Sequence, residues 1–93
     1  MSYKITEYTK HKAKELGVIV KPSQVKNKKI DVFDKEGDKL ASVGAIGYDD
    51  FPTCIRKKGR VYAEQRRKLY KERHEKDRHE KGTPGYWADR LLW

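Results

Sequence analysis

Long apolar runs are missing from this 93-residue sequence, in which only 35% of the residues are hydrophobic. No stretch approaches the ~20 apolar residues that a membrane-spanning helix requires, and the first ten residues lack the apolar segment of a secretory signal peptide. Cysteine occurs once, as Cys54, so an internal disulfide cannot form and a reducing compartment is favoured. We therefore expect a protein without a membrane partner that is not secreted by a signal peptide.

Signatures of catalysis and of cofactor or metal binding are missing too. The sequence has no phosphate-binding loop and no readable Ser/His/Asp or Cys/His arrangement. His74 and His79 are five residues apart, about 140° around a helix, so they do not face one metal ion together. Glu75 and Asp77 lie between them in a polar segment without the buried pocket that perturbs the pKa values of nuclease residues. We predict no enzyme, no cofactor and no metal site.

Charge dominates what is present, since 40% of the residues are charged and the formal net charge is +9. Residues 1–30 carry +6, residues 31–55 carry −4 and residues 56–93 carry +7. The aliphatic residues are distributed in the opposite way, because 13 of the 18 Ile, Leu, Val and Phe residues lie between Leu16 and Ile55. Within one domain, this contrast predicts a compact core over residues 1–70, a polar basic helical arm over 71–85 and an apolar docking tail over 86–93.

The first half of the chain carries signals for a helix and a small sheet. Thr6 and Gly17 suit the start and the end of a helix over residues 7–16. Short β-branched segments predict three strands, at residues 18–20, 30–33 and 40–43. A turn over residues 34–37 joins the last two strands as a hairpin, so we expect an antiparallel sheet of three strands.

The second half carries helical signals. Pro52 suits the first turn of a short helix, and a long basic helix is predicted over residues 60–81, with Gly82 after it. Its first three turns show an apolar side that we expect to be buried: Val61, Tyr62, Gln65, Leu69 and Tyr70. Thr83 can cap a short aromatic C-terminal helix. The predicted fold class is therefore α+β.

Basic residues repeat along one side of the long predicted helix. They are spaced by seven, four, three, four and three residues and form a stripe about 30 Å long, made of Arg60, Arg67, Lys71, His74, Arg78 and Lys81. Arg66 widens the stripe, and Lys10 and Lys14 add charge on the N-terminal helix. Such a stripe can follow a nucleic-acid backbone, because the planar guanidinium group of arginine suits phosphate. The alternatives are solubility alone and contact with an acidic protein.

The C-terminal segment is strongly apolar although it follows a polar stretch. Its apolar side chains are Tyr86, Trp87, Leu91, Leu92 and Trp93. Burying two Trp and two Leu side chains contributes several kcal/mol at ~25 cal/mol per Å². The segment is therefore predicted to dock, either on the sheet of this chain or on another protein, and an oligomer is compatible with the second case.

Several segments resemble one family of small basic proteins that large DNA viruses and phages of algae and marine microbes encode. The longest similar segment is Lys81-Gly82-Thr83-Pro84-Gly85-Tyr86-Trp87-Ala88-Asp89-Arg90-Leu91-Leu92-Trp93. Similar segments lie at residues 29–33, 41–48 and 73–79, so the resemblance covers nearly the whole chain. The family has no assigned function and supplies no catalytic residues. The resemblance implies a viral origin, with the virion or the infected host cell, in its nucleus or cytoplasm, as the location.

Two functions are compatible with these patterns. The first is nucleic-acid binding through phosphate contacts without sequence specificity, with duplex DNA favoured over RNA. The second is a minor capsid or other virion structural protein that docks on acidic partners through its C-terminal aromatic tail. The two differ in their expected salt dependence, because phosphate contacts release counterions.

Overall fold

The computed structural model describes residues 3–93, which form four helices and three strands. Their order is α1 (Glu7–Leu16), β1 (Ile19–Pro22), β2 (Lys28–Phe33), β3 (Lys39–Ala45), α2 (Phe51–Lys58), α3 (Arg60–Arg73) and α4 (Pro84–Leu92). The predicted α+β class is confirmed, with the N-terminal helix, the three-stranded sheet and the short C-terminal helix all present. Among the described residues, no helix has the length and apolarity needed to cross a membrane.

Side chains cap the starts of three helices. The Thr6 hydroxyl accepts a hydrogen bond from the Thr9 amide at the start of α1, and the Thr83 hydroxyl accepts one from the Tyr86 amide at the start of α4. Asp50 caps α2 in the same way. These caps satisfy amide groups that have no partner inside the helix, so short polar residues fix where each helix begins.

The sheet is antiparallel throughout, with β2 between β1 and β3. Val20 pairs with Val32 across the first pair of strands, and Ile30 pairs with Val43 across the second. Ile30, Val32 and Val43 are almost completely buried, because this side of the sheet is covered by helices. Helix α4 packs against β3 and α1 and supplies most of that cover.

The C-terminal segment completes the main core of this chain. Trp87, Leu91 and Leu92 belong to one buried cluster with Ala13 and the sheet residues Ile30, Val32 and Val43. A smaller cluster joins Phe51, Cys54 and Ala63, and Trp93 packs against both. Of the two docking sites predicted for the segment, the structure shows the sheet of the same chain.

Helix α3 is shorter than its charge pattern predicts, because it ends at Arg73 and not near Lys81. Residues 74–83 form successive turns, and Arg78 in these turns lies 3.7 Å from buried Asp89. A continued helix would gain only about 0.3–0.5 kcal/mol for each exposed i,i+4 ion pair. Residues 71–85 instead fold back on α4, where Arg78 helps to compensate the buried carboxylate of Asp89, and they do not extend as an arm.

The side of α3 that we expected to be buried is also different. Val61 and Leu69 are 73% and 52% exposed, and Ala63 is the buried residue of this helix. Small Ala63 lets α3 lie close to Phe51 and Cys54 of α2. The larger residues are thereby turned outward.

Candidate nucleic-acid interface

Asp89 is the point at which α3, the following turns and α4 meet. Its side chain is only 1% exposed, and its carboxylate accepts hydrogen bonds of 2.8 Å from Lys71 Nζ and from Arg90 Nη1. Arg78 lies 3.7 Å from the same carboxylate. A buried carboxylate without such partners would be very costly. Lys71 and Arg78, which the sequence assigned to phosphate binding, therefore serve the fold.

Arg67 is also engaged inside the protein. Its guanidinium carbon lies 4.0 Å from the centre of the Phe51 ring, and its Nη1 donates to the main-chain oxygen of Trp93 at 3.4 Å. Arg60 lies 3.7 Å from Glu64 on the same helix. The predicted stripe of six basic residues is therefore not one solvent-facing surface.

The remaining predicted contacts lie at scattered places. Lys10 is exposed and 3.7 Å from Glu7, Lys14 is exposed on α1, and Lys81 is exposed in the turns before α4. The ring of His74 lies against Tyr70 in a tilted arrangement with ring centres 4.4 Å apart, and its Nδ1 lies 3.4 Å from Asp77. Of the predicted set, only Arg66 and His74 line the groove described next.

A groove of about 1070 Å³ runs between α3, the first turn of α4 and the loop that follows β3. The side of α3 that lines it consists of Tyr62, Arg66, Leu69, Tyr70 and Arg73, at the spacing of one helix face. Arg66 and Arg73 are exposed, and within residues 3–93 neither has an acidic side chain in salt-bridge contact. Lys28 of β2 lines the same groove and is also exposed.

Lys29 of β2 holds the loop that follows β3 in place. Its Nζ lies 3.1 Å from Oδ2 of buried Asp50 and donates a hydrogen bond to the main-chain oxygen of Tyr48. The Tyr3 hydroxyl also donates to Asp50, which caps α2 through the Thr53 amide. Burial acts to raise the pKa of Asp50, but hydrogen bonds from Thr53 and Tyr3 and the charge of Lys29 outweigh it and hold that pKa below its usual value.

Gly44, the second-last residue of β3, lets the end of this strand pass close to α4. Its φ of +82° lies in the left-handed region, and a Cβ there would come within 2.8 Å of Leu92 Cδ1. The loop then presents Tyr48 at the rim of the groove, where its side chain is 75% exposed. An aromatic residue this exposed stands out on a chain whose other aromatic side chains are mostly packed.

Aromatic rings continue across the groove. Tyr70 stacks on Trp93 with ring centres 4.7 Å apart and planes 13° apart. The ring of His74 also contacts Tyr70, with ring centres 4.4 Å apart. Burial, together with the charges of Asp89 and Asp77, raises the pKa of Tyr70 to about 12, so its hydroxyl stays neutral at physiological pH. The groove thus combines a neutral aromatic lining with the free cations of α3 and β2.

Acidic side chains without a basic partner lie both at the opposite end of the sheet and near the groove. Asp34, Glu36 and Asp38 cluster in the β2–β3 turn, where Asp34 accepts hydrogen bonds from main-chain amides. The groove has acids as well: Asp49 pairs with Lys57 at 3.1 Å, Asp50 pairs with Lys29, Asp77 lies 3.4 Å from His74, and Glu72 is exposed on α3. Arg66, Arg73 and Lys28 are therefore the groove cations without an acidic side chain in salt-bridge contact among residues 3–93.

The described part of the chain has neither a cluster of metal ligands nor an exposed cysteine. No group of three or more His, Cys, Asp or Glu side chains within residues 3–93 could hold a metal ion. Cys54 is buried, and burial raises the pKa of its thiol, which keeps the reactive thiolate form scarce at neutral pH.

The chain matches no protein-family model, no curated protein and no solved structure. The resemblance to small viral proteins therefore stays a prediction that rests on the sequence segments alone.

Five groove residues were not predicted from the sequence: Lys28, Tyr48, Tyr62, Tyr70 and Arg73. One signal was available: Tyr62, Arg66, Leu69, Tyr70 and Arg73 share a helix face, as their spacing of four, three, one and three residues indicates.

Proposed function

We propose that this protein is a binding module for nucleic acid that contacts phosphates and does not read sequence. The observation that carries the proposal is the placement of Arg66 and Arg73. They lie seven residues apart, about 10 Å along α3, on the face that lines the groove, and neither is neutralised by an acidic side chain in the described part of the chain. Free guanidinium groups on one rigid helix suit the regularly spaced phosphates of a nucleic-acid strand.

The expected contact set differs from the one that the sequence suggested. Arg67, Lys71 and Arg78 are held by internal partners, so moving them onto phosphates would expose the carboxylate of Asp89 or break the contact with Phe51. Arg66, Arg73 and Lys28 replace them as the primary phosphate contacts. The predicted 30 Å stripe is not available for a nucleic-acid backbone, because α3 has 14 residues and spans only about 21 Å.

Binding without sequence readout fits the residue types at the groove. Within residues 3–93 it is not lined by Asn or Gln, the side chains that read adenine edges, and the proposal assigns its arginines, which could also read guanine, to phosphates. The net charge of +9 adds a long-range attraction to any polyanion. The virion-protein alternative has no comparable support, because Trp87, Leu91 and Leu92 of the supposed docking tail are buried in the core of this chain.

The proposal is tested by measuring affinity at several salt concentrations, using fluorescence anisotropy of labelled oligonucleotides. If Lys28, Arg66 and Arg73 contact phosphates, log K against log salt should have a slope of about −2 on a single strand and nearer −3 on a duplex. Arg66→Gln with Arg73→Gln should reduce the magnitude of that slope by about 1.4 on a single strand and weaken binding equally for unrelated sequences.

Lys35→Gln is the matched control, because Lys35 is exposed at the β2–β3 turn, at the other end of the sheet from the groove. It lowers the net charge without removing a groove cation, so the salt slope should stay at the wild-type value. The arginine variant removes two charges and the control removes one, so a loss of affinity in the control half as large as in the arginine variant would show an effect of overall charge and overturn the groove as the site. Absence of salt-dependent binding in the wild-type protein would overturn the proposed function itself.

A further inference from the structure

We infer that the groove takes a single nucleic-acid strand, of which a base stacks on the exposed ring of Tyr48 while the phosphates meet Arg66, Arg73 and Lys28. This inference rests on the proposed function and specifies its ligand. The ligand chemistry is a chain of unpaired bases joined by phosphates, which single-stranded DNA and single-stranded RNA share.

The aromatic lining is the first step of the argument. Four aromatic residues line the groove, namely Tyr48, Tyr62, Tyr70 and Trp93. Proteins that bind single strands without sequence preference combine a basic groove with aromatic rings on which successive bases stack. Tyr70 and Trp93 stack on each other within the fold, whereas the exposed ring of Tyr48 is not explained by packing or by phosphate contact.

The exposure of Tyr48 is the second step. The residue is 75% exposed at the rim of the groove. An aromatic ring contributes favourable free energy only when a partner surface covers it and removes it from water. A duplex presents phosphates and base edges on its outside, whereas the faces of its bases are stacked within. An unpaired base offers a free face to Tyr48, and this favours the single strand as the occupant.

The rigidity of both walls is the third step. On one wall, Lys29 fixes the loop through the Tyr48 main-chain oxygen and Asp50. On the other wall, Tyr70 stacks on Trp93 and also contacts the ring of His74. Walls that are already ordered lose little conformational entropy when a ligand enters, so the stacking energy is retained as affinity.

The size of the groove is the fourth step. Its volume of about 1070 Å³ lies at or above the upper end of the ~300–1,000 Å³ typical of small-molecule pockets. It opens to solvent along a helix face about 10 Å long between Arg66 and Arg73. A few consecutive nucleotides of a strand therefore match it better than one compact metabolite.

The test compares labelled oligo(dT) and oligo(rU) of about 15 nucleotides with a hairpin duplex, at one low salt concentration and for three proteins. Wild-type protein should bind at least one single strand several-fold more tightly than the duplex. Tyr48→Ala should weaken that binding by about five-fold or more, while duplex binding stays unchanged. Tyr48→Phe should bind like wild type, because stacking needs the ring and not the hydroxyl.

Tyr48 suits this experiment because its main-chain oxygen, and not its ring, holds Lys29. Circular dichroism and the melting temperature of both variants should therefore match the wild type. The ratio of oligo(dT) to oligo(rU) affinity identifies whether DNA or RNA is preferred.

The outcomes separate the two proposals. Duplex binding as tight as single-strand binding, with no effect of Tyr48→Ala, would overturn this inference and leave phosphate binding as the function. A Tyr48→Phe variant as weak as Tyr48→Ala would also overturn the stacking of bases on Tyr48. No binding to any of the three probes would overturn the proposed function.

Discussion

Lys71 donates a hydrogen bond of 2.8 Å from its Nζ to Oδ1 of Asp89, and this contact joins α3 to α4 across 18 residues of chain. The lysine belongs to a basic pattern typical of nucleic-acid binding, and the aspartate lies in the most apolar segment of the sequence. The position of each residue is explained by the other: the carboxylate can be buried in that segment only where cations reach it, and Lys71 points inward to supply one of these cations.

Replacing Asp89 by asparagine keeps the size of the side chain and removes the charge that Lys71, Arg78 and Arg90 share. We expect the free energy of unfolding to fall by about 3 kcal/mol, the lower end of the range for losing one partner of a buried ion pair. The lower end applies because the three cations are partly exposed and can return to water. Urea denaturation followed by circular dichroism measures the change.

Glu64→Gln is the control for Asp89→Asn, because it removes an exposed carboxylate that lies within 4.0 Å of Arg60 and Arg67. Its effect should stay within about 0.5 kcal/mol. Equal stability losses in the two variants would show that burial of Asp89 has no special role.

Two buried carboxylates should make the protein sensitive to acid. Burial acts to raise the pKa of Asp31, but hydrogen bonds from Ser23, Ser42 and the Gln24 amide outweigh it and lower that pKa, as happens at Asp50. A folded-state pKa below the unfolded value of about 3.9 adds stability that is fully present at higher pH. The free energy of unfolding should therefore fall as the pH drops below about 4 towards the folded-state pKa values.

Asp50→Asn isolates one of these contributions, because asparagine caps a helix about as well as aspartate. At pH 7 the variant should be less stable than the wild type, and the difference should shrink as the pH is lowered below about 4. Urea unfolding across this pH range gives both curves. A stability difference that stays constant with pH would contradict a role for the charge of Asp50.

Gly44 and Gly47 form a matched pair for testing how closely the loop after β3 approaches α4. Both have positive φ, but a Cβ on Gly44 would lie 2.8 Å from Leu92 Cδ1, whereas a Cβ on Gly47 would meet nothing within 4 Å. Gly47→Ala should cost only the backbone strain of about 1–2 kcal/mol. Gly44→Ala should cost about 1–3 kcal/mol more, because the core must also move. Melting temperatures of the two variants that agree within error would contradict this contact.

Signals that act over a few residues predicted much of the fold. Thr6, Thr83 and Gly17 mark helix ends in the sequence and in the structure, because capping involves only the adjacent turn. The end of α3 was not predictable in this way. Polar residues continue past Arg73 in a helical pattern, whereas in the structure the chain leaves the helix there and Arg78 lies near Asp89, a tertiary contact that local sequence does not show.

The candidate site was predicted less well for a related reason. Periodicity shows which basic residues share a helix face, but it does not show whether that face meets water or a buried acid. Arg67 and Lys71 therefore read as surface residues, while Arg66 and Arg73 on the neighbouring face line the groove. Asp89, a single acid among Trp87, Leu91 and Leu92, was the available sign that some cations had to point inward.

The position of α4 in the chain also determines when the core can form during synthesis on the ribosome. Thr9 near one end donates a hydrogen bond to the main-chain oxygen of Leu91, 82 residues later, and Leu91 and Leu92 fill the space over the sheet. Synthesis runs from the N-terminus, so the strands emerge and can pair while their apolar face is still bare. The nascent chain must remain soluble through this interval, with Ile30, Val32 and Val43 uncovered, and cannot close its core until Leu92 has been added.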